Sequence, residues 1–276
     1  MDLVIQAPAI TFADAKAVAK LSGASSIERL SGSAFRLRGA VRETGVADYC
    51  ARAQLDFSFV SGNPRLADIG LLAMDMDSTL ITIECIDEIA DLNGLKPQVA
   101  AITAAAMRGE VDFAESLARR VALLRGLEEG ALQRVYDERL SLSPGAEQML
   151  AAMRRAGIKT LLVSGGFTFF TERLKMRLGI DFTASNQLEI RNGKLTGKLL
   201  GQILGANGKA AALIRARNDL GLTRDRIMAI GDGANDIPML GEAGISIAYH
   251  AKPVVRERAT YALNQSGLDG VLNLFD

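Results

Sequence analysis

Apolar residues recur along this chain in two rhythms, one of period two and one near 3.6, and their order predicts its architecture. Leu3-Val4-Ile5 predicts a short strand, and the Ala-rich run from Phe12 to Leu21 has helical spacing. Ser26 to Leu30 and Ala34 to Leu37 predict two strands about the turn Ser31-Gly32-Ser33. Val41 to Leu55 returns to helical spacing, and Asp56 to Val60 alternates as a final strand. The order βαββαβ is that of a small α+β, ferredoxin-like sandwich over residues 1–68, closed by the break Ser61-Gly62-Asn63-Pro64. This unit carries no chemical motif. Its expected role is packing or homodimerisation, with a regulatory amino-acid site as the sharper alternative.

From residue 69 to 276, strands alternate with helical segments, which predicts an α/β unit with a parallel sheet. Leu71-Leu72-Ala73-Met74 reads as a strand buried on both faces. Lys159 to Val163, Asp225 to Ile230 and Gly244 to Ala248 are predicted to follow it in the sheet. The helical stretch over about residues 84–140 has internal breaks at Asn93-Gly94 and Arg125-Gly126. It is far longer than one crossover helix, so an inserted helical cap is expected. Leu188 to Arg191 and Lys194 to Gly197, joined by Asn192-Gly193, predict a hairpin with a type I′ turn.

Candidate chemistry lies where the strands end, because open α/β sheets bind ligands beyond the carboxyl ends of their strands. The first strand runs into Asp75-Met76-Asp77-Ser78-Thr79, the second into Ser164-Gly165-Gly166, and the third into Gly231-Asp232-Gly233-Ala234-Asn235-Asp236. Lys209, ahead of the helical run Ala210 to Asp219, can add one positive charge. Such a carboxylate cluster repels itself unless a cation joins it, and oxygen ligands without His or Cys favour Mg²⁺. A lysine, a serine hydroxyl and glycine amides suit a phosphate. With a carboxylate as the attacking group, the chemistry becomes phosphoryl transfer through an aspartyl-phosphate. Asp75 fits the nucleophile. Asp77, two residues on, can point the same way and act as acid and base. A receiver-type signalling module also combines Asp, Mg²⁺, Lys and a hydroxyl, but it needs no cap.

In this order the motifs resemble the haloacid dehalogenase superfamily of phosphatases, and within it the members that act on phosphoserine. The resemblance covers about residues 69–276. It rests on Met74 to Leu80, on Glu84-Cys85-Ile86-Asp87-Glu88-Ile89-Ala90, on Val163 to Phe167 and most strongly on Gly231 to Asp236. Met76 stands where the family often has Phe. The family implies a Rossmann-like core, a helical cap and Mg²⁺. It implies Asp75 as nucleophile, Asp77 as acid/base, and Asp75, the Asp77 main-chain carbonyl and Asp232 around the metal. Ser164, Gly165 and Lys209 would hold the phosphate. Asn235, Asp236, Ser78, Thr79 and Gly166 would support the site. From the cap, Glu84 would meet the substrate ammonium and Arg120 its carboxylate, with Met107 and Phe113 as an apolar wall. The implied reaction is Mg²⁺-dependent hydrolysis of O-phospho-L-serine, closing serine biosynthesis. Another small phosphomonoester, such as phosphohomoserine or a phosphoamine, is the alternative substrate.

Composition narrows the field further. Thirty-two Lys and Arg balance 32 Asp and Glu, against a broad nucleic-acid surface. The two cysteines, Cys50 and Cys85, make no disulfide framework, and Cys85 reads as a small buried residue. The single histidine, His250, excludes a multi-histidine metal site and reads as structural. No run reaches the ~18 apolar residues of a membrane helix, and the N-terminus lacks a basic leader segment. The expectation is a cytoplasmic protein with a small-molecule substrate.

Overall fold

The computed structural model describes residues 1–276, apart from the side chain of Met107. The chain opens with β1 (Asp2–Gln6), α1 (Phe12–Ser22), β2 (Ser26–Arg29), β3 (Ala34–Arg38), α2 (Thr44–Ala53) and β4 (Asp56–Val60). These strands form an antiparallel sheet of order β2-β3-β1-β4, the ferredoxin-like arrangement. Thr11 starts α1 through a capping box with Asp14, whose N–H it accepts and whose carboxylate accepts the Thr11 N–H. α2 begins later than the apolar spacing predicts. Val41 is exposed and its N–H bonds the Ser22 carbonyl, so it belongs to the connection rather than the helix.

Period-two alternation gives this small sheet two unlike faces. Leu3, Ile5, Phe35 and Leu37 pack with Ala15, Val18, Val46 and Cys50 of the two helices. Gln6, Arg36, Asp56 and Ser58 point the other way and are buried all the same. Asp56 accepts main-chain N–H bonds from Asn264 (2.6 Å), Gln265 (3.1 Å) and Ser266 (2.8 Å). Arg36 donates to the carbonyls of Asn273 and Phe275 and pairs with Asp276. The second face is therefore a seam within the chain. Asp56→Ala would orphan three donors there and is expected to cost about 3 kcal/mol, on the scale of lost bonds to a buried charge. Thermal melts check this: a midpoint within about 2 °C of wild type would mean the seam contributes little.

The larger unit holds β5 (Leu71–Met74), four helices α3 (Cys85–Leu92), α4 (Lys96–Met107), α5 (Phe113–Leu123) and α6 (Gly130–Glu138), then α7 (Ala146–Arg155). It continues with β6 (Lys159–Phe167), α8 (Thr168–Leu178), β7 (Phe182–Arg191), β8 (Lys194–Leu200) and α9 (Ala206–Asp219). It ends with β9 (Ile227–Gly231), α10 (Ile237–Gly241), β10 (Ile245–Tyr249), α11 (Pro253–Arg256) and β11 (Tyr261–Leu263). The sheet order is β11-β10-β9-β5-β6-β7-β8, parallel except for β8, which returns antiparallel to β7. β5 sits between β6 and β9, so the chain leaves it in opposite directions and opens a crevice at its carboxyl end. Helices α3 to α6 form the cap, entered past Ile81 and left past Leu142, which bridge each other at its base.

Several elements differ from the periodicity. β6 runs on through Ser164-Gly165-Gly166 to Phe167, with a register shift that bends it at the glycines. Lys209 lies within the first turns of α9 rather than ahead of it. The cap breaks a third time, around Gly109. The first half of β7 pairs parallel to β6, a strand hidden by its small polar residues. β11 has only three residues and pairs with β10 alone. Asn192 and Gly193, at φ 51° and 74°, make the hairpin turn as their residue types require.

Candidate active site

The ends of β5, β6 and β9 converge with the start of α9. Asp75 continues the sheet, its N–H on the Ile230 carbonyl (3.0 Å) and its Oδ1 accepting the Met76 N–H (2.7 Å). A tight turn over Met76–Leu80 follows, with Ser78 in the left-handed region at φ 56°. That turn sends Asp77 toward the cap. Asp77 Oδ1 accepts the N–H of Cys85, the first residue of α3 (3.0 Å), and Oδ2 accepts the Ser164 hydroxyl (3.3 Å). Ser78 donates to Glu84 (2.7 Å) and Thr79 to Asp232 (3.2 Å). Ser164 accepts the Gly166 N–H (2.8 Å), which shapes the loop into a cradle.

Lys209 is fully buried and donates to both Asp75 Oδ1 and Asp236 Oδ1 at 2.7 Å. Burial alone would lower its pKa, but the two carboxylates outweigh that and raise it, so it stays charged. Asp236 is further fixed by the Gly233 N–H (3.0 Å). Asp75, Asp232 and Asp236 each bring a carboxylate oxygen within 4.8 Å of the others. One ammonium among three carboxylates leaves the cluster short of positive charge. Burial first, then Asp236, pushes Asp75 well above the usual carboxylate range and Asp232 up to about 6. An all-oxygen, under-neutralised set of this kind fits a hard divalent cation. The third carboxylate in it is Asp236, expected only as support, while the Asp77 carboxylate turns to the cap.

Burial likewise raises the Asp77 carboxyl, against the Cys85 N–H and the Ser164 hydroxyl, which lower it. Glu84 is pushed up to about 7, by burial and then by Asp77, with Ser78 opposing. Burial pulls the Arg120 guanidinium down, while Asp87, Glu84 and Asp77 pull it up. Arg120 is partly buried on α5 with its Nε on the Ser116 carbonyl (3.4 Å), whereas Arg119 pairs with Glu115 on the exposed side. Phe113 begins α5 just after its N-cap, Asp112. Its ring lies on the core rim, where a Cβ at Gly165 or Gly205 would come within 3.0 or 3.1 Å of it. Asn235 sits beside Gly233, partly buried. Met107 ends α4, and its side chain lies outside the described residues.

Away from these residues, His250 donates its N–H to the Leu263 carbonyl and sets its ring Nε2 by the Ser266 carbonyl (3.2 Å), a structural position. Burial pushes the Cys85 thiol well up, so no activated thiolate lies beside Glu84. Asn186, which no motif signals, is buried in β7 and bonds both Gly165 and Leu204. A lone polar residue in a strand of small residues gives a sequence no reason to single it out.

A model of haloacid dehalogenase-like hydrolases matches residues 72–241, and a model described as a domain of unknown function matches residues 3–47. A phosphoserine phosphatase from Polaromonas sp. is 54% identical over 215 residues, covering 76% of this chain and 91% of its own. The crystal structure of a probable phosphoserine phosphatase from Vibrio cholerae matches with TM-score 0.88 and 35% identity, over 99% of this chain and 85% of its own. A phospho-aspartyl intermediate analogue of phosphoserine phosphatase matches with TM-score 0.70 and 36% identity, over 75% of this chain and 99% of its own. Motifs, fold and likeness thus converge: the chain belongs to the haloacid dehalogenase-like hydrolase family.

Proposed function

We propose that this chain is a Mg²⁺-dependent phosphatase that hydrolyses O-phospho-L-serine to L-serine and phosphate through an aspartyl-phosphate on Asp75. Residues 69–276 are the catalytic unit, with the cap inserted at about 84–140, and residues 1–68 are a domain docked on it. The observation that carries this reading is the pairing of two half-sites. The core gathers Asp75, Lys209 and Ser164 for a phosphoryl group; Glu84 at the cap entrance bonds Ser78, and Arg120 of α5 would reach over from the cap. Bound at Asp75, Asp232 and Asp236, Mg²⁺ would offset the phosphate charge.

The chain's own groups perform the rest. An Asp75 oxygen attacks phosphorus while the bond to the serine oxygen breaks, and that oxygen takes the proton held by Asp77. Burial, which raises the Asp77 carboxyl, favours the protonated form this first half needs. Asp77 then removes a proton from water as its oxygen attacks the same phosphorus, which frees Asp75 and releases phosphate. The Ser164 hydroxyl, the Gly165 N–H and Lys209 hold the remaining phosphoryl oxygens. Glu84 takes the ammonium and Arg120 the carboxylate in a forked contact. Phe113 closes the rim above and keeps water out.

A hydrolase returns phosphate to solution at every cycle, unlike a receiver module, which keeps it. Among the described residues no helix is long and apolar enough to cross a membrane. We assign the activity to the cytoplasm. A homodimer through the N-terminal domain would use α1, α2 or the edge strand β2, because the other sheet face is buried in the seam.

The test is a phosphate-release screen of small phosphomonoesters with Mg²⁺ and with chelator, run across pH. O-phosphoserine should give the highest kcat/KM, many equivalents per chain, and none after chelation. Release that stops at one equivalent would refute turnover. A better substrate without a carboxylate would remove the role of Arg120. The pH arm reads Glu84, whose free carboxyl is pushed up to about 7 and must be ionised to attract an ammonium. Preference for phosphoserine over an amine-free ester should therefore fall about tenfold from about pH 8 to about pH 6, as the ionised fraction drops. A flat ratio would move the ammonium contact to another residue.

A further inference from the structure

We propose that Asn186 is a positioning residue for phosphoryl transfer, holding the Ser164–Gly166 loop and the segment leading into α9 at the spacing one phosphoryl group requires. The inference rests on the phosphatase reading above and adds a residue to it. Asn186 is 3% exposed and lies where β7 leaves its parallel pairing with β6 for the hairpin with β8. Its Nδ2 donates to the Gly165 carbonyl (2.8 Å) and, more weakly, to the Leu204 carbonyl (3.4 Å). Its Oδ1 accepts the Leu204 N–H (2.7 Å). The amide thus acts as a short rung of backbone between two loops that do not pair with each other. Among the described residues, no other side chain bonds both loops.

Each bond bears on a group that meets phosphate. Fixing the Gly165 carbonyl fixes the peptide to Gly166, whose N–H shapes the Ser164 hydroxyl from the other side. Leu204 immediately precedes Gly205, the N-cap of α9, and the Lys209 N–H bonds the Gly205 carbonyl (2.9 Å). A shift at Leu204 therefore reaches Lys209 within one helical turn. The Phe113 ring rests on Gly165 and Gly205 together, so it packs over the same joint. A misplacement of about 1 Å in such a constellation can cost ~10²-fold in rate.

Two variants separate positioning from simple support of the fold. Asn186→Ala removes all three bonds. Asn186→Asp keeps the volume and the Leu204 N–H bond but turns a carboxylate oxygen toward the Gly165 carbonyl. Well below the melting transition, both should weaken competitive inhibition by inorganic phosphate roughly tenfold and lower kcat/KM at least as much, the scale of a lost buried hydrogen bond. The loss should be alike for phosphoserine and an aryl phosphate, because the effect falls on the phosphate half of the site. The Asp variant should bind phosphate more weakly than the Ala variant, whereas a role in packing alone would favour Asp. Phosphate inhibition and kcat/KM within twofold of wild type, with only the melting point lowered, would overturn the proposal. If neither variant folds, the Asn186 side-chain amide signals of the wild type should shift on phosphate titration, and unmoved signals would overturn it. Wild-type protein that releases no phosphate from any ester would instead sink the phosphatase reading itself.

Discussion

Asp75→Asn is expected to lower kcat on O-phosphoserine by at least about 10³-fold and yet leave the metal-free fold as stable as before or more so. An amide in place of the carboxylate is a poor nucleophile, and the chain offers no substitute at that point. Asp77 turns to the cap, while Asp232 and Asp236 lie at the end of a different strand, bonded to Thr79 and to Lys209. The stability half follows from linkage. The Asp75 carboxyl is raised well above its unfolded value, chiefly by burial. A carboxyl of this kind opposes folding once pH exceeds its unfolded pKa, and the opposition grows until pH passes the folded one. At neutral pH, asparagine removes that opposition, and Lys209 keeps Asp236 as its partner. Thermal melts in chelator give the stability reading, and single-turnover phosphate release with Mg²⁺ gives the other. Near-normal turnover would refute the covalent route. A large drop in melting point would mean that the Asp75–Lys209 pair stabilises the fold, so the site would not be held at a cost to stability.

The elements that bring these residues together were legible to different degrees, for physical reasons. β5 is legible to the residue because a strand buried on both faces is a continuous apolar run, and β4 because it alternates cleanly. The hairpin was legible from Asn192-Gly193, whose positive φ values few other residue pairs accept. The start of β7 was not: Thr183, Ala184 and Ser185 are small, and β6 and α8 supply the apolar cover instead. The core motifs are readable because each sits at the carboxyl end of an apolar strand run, two just past it and Ser164-Gly165-Gly166 in the last stretch of β6. Their third dimension is not. Lys209 is 134 residues from Asp75, and only folding shows one ammonium shared by Asp75 and Asp236. The seam is hidden from the sequence for the same reason, since Asp56 on an alternating strand reads as solvent-facing until residues 264–266 are seen above it.

Asp77→Asn should lower kcat on phosphoserine by about 10² to 10⁴, the usual worth of a placed acid and base, and should do so unequally across the two halves of the reaction. The serine alkoxide is a poor leaving group and needs the proton that Asp77 supplies, so the first half should slow and little phosphoenzyme should build up. The nitrophenolate of a nitrophenyl phosphate leaves without being protonated. The variant should then form its aspartyl-phosphate readily and stall at hydrolysis, where no base remains to take a proton from water. A stoichiometric burst of nitrophenolate is expected, followed by slow turnover, with no burst on phosphoserine. The substitution is mild structurally: the asparagine oxygen still accepts the Cys85 N–H, and only the Ser164 hydroxyl must turn away from the new amide. A burst on both substrates would confine Asp77 to the hydrolytic half, with another group protonating the serine oxygen. Unchanged steady-state rates would leave Asp77 with no role beyond joining the cap to the core through Cys85.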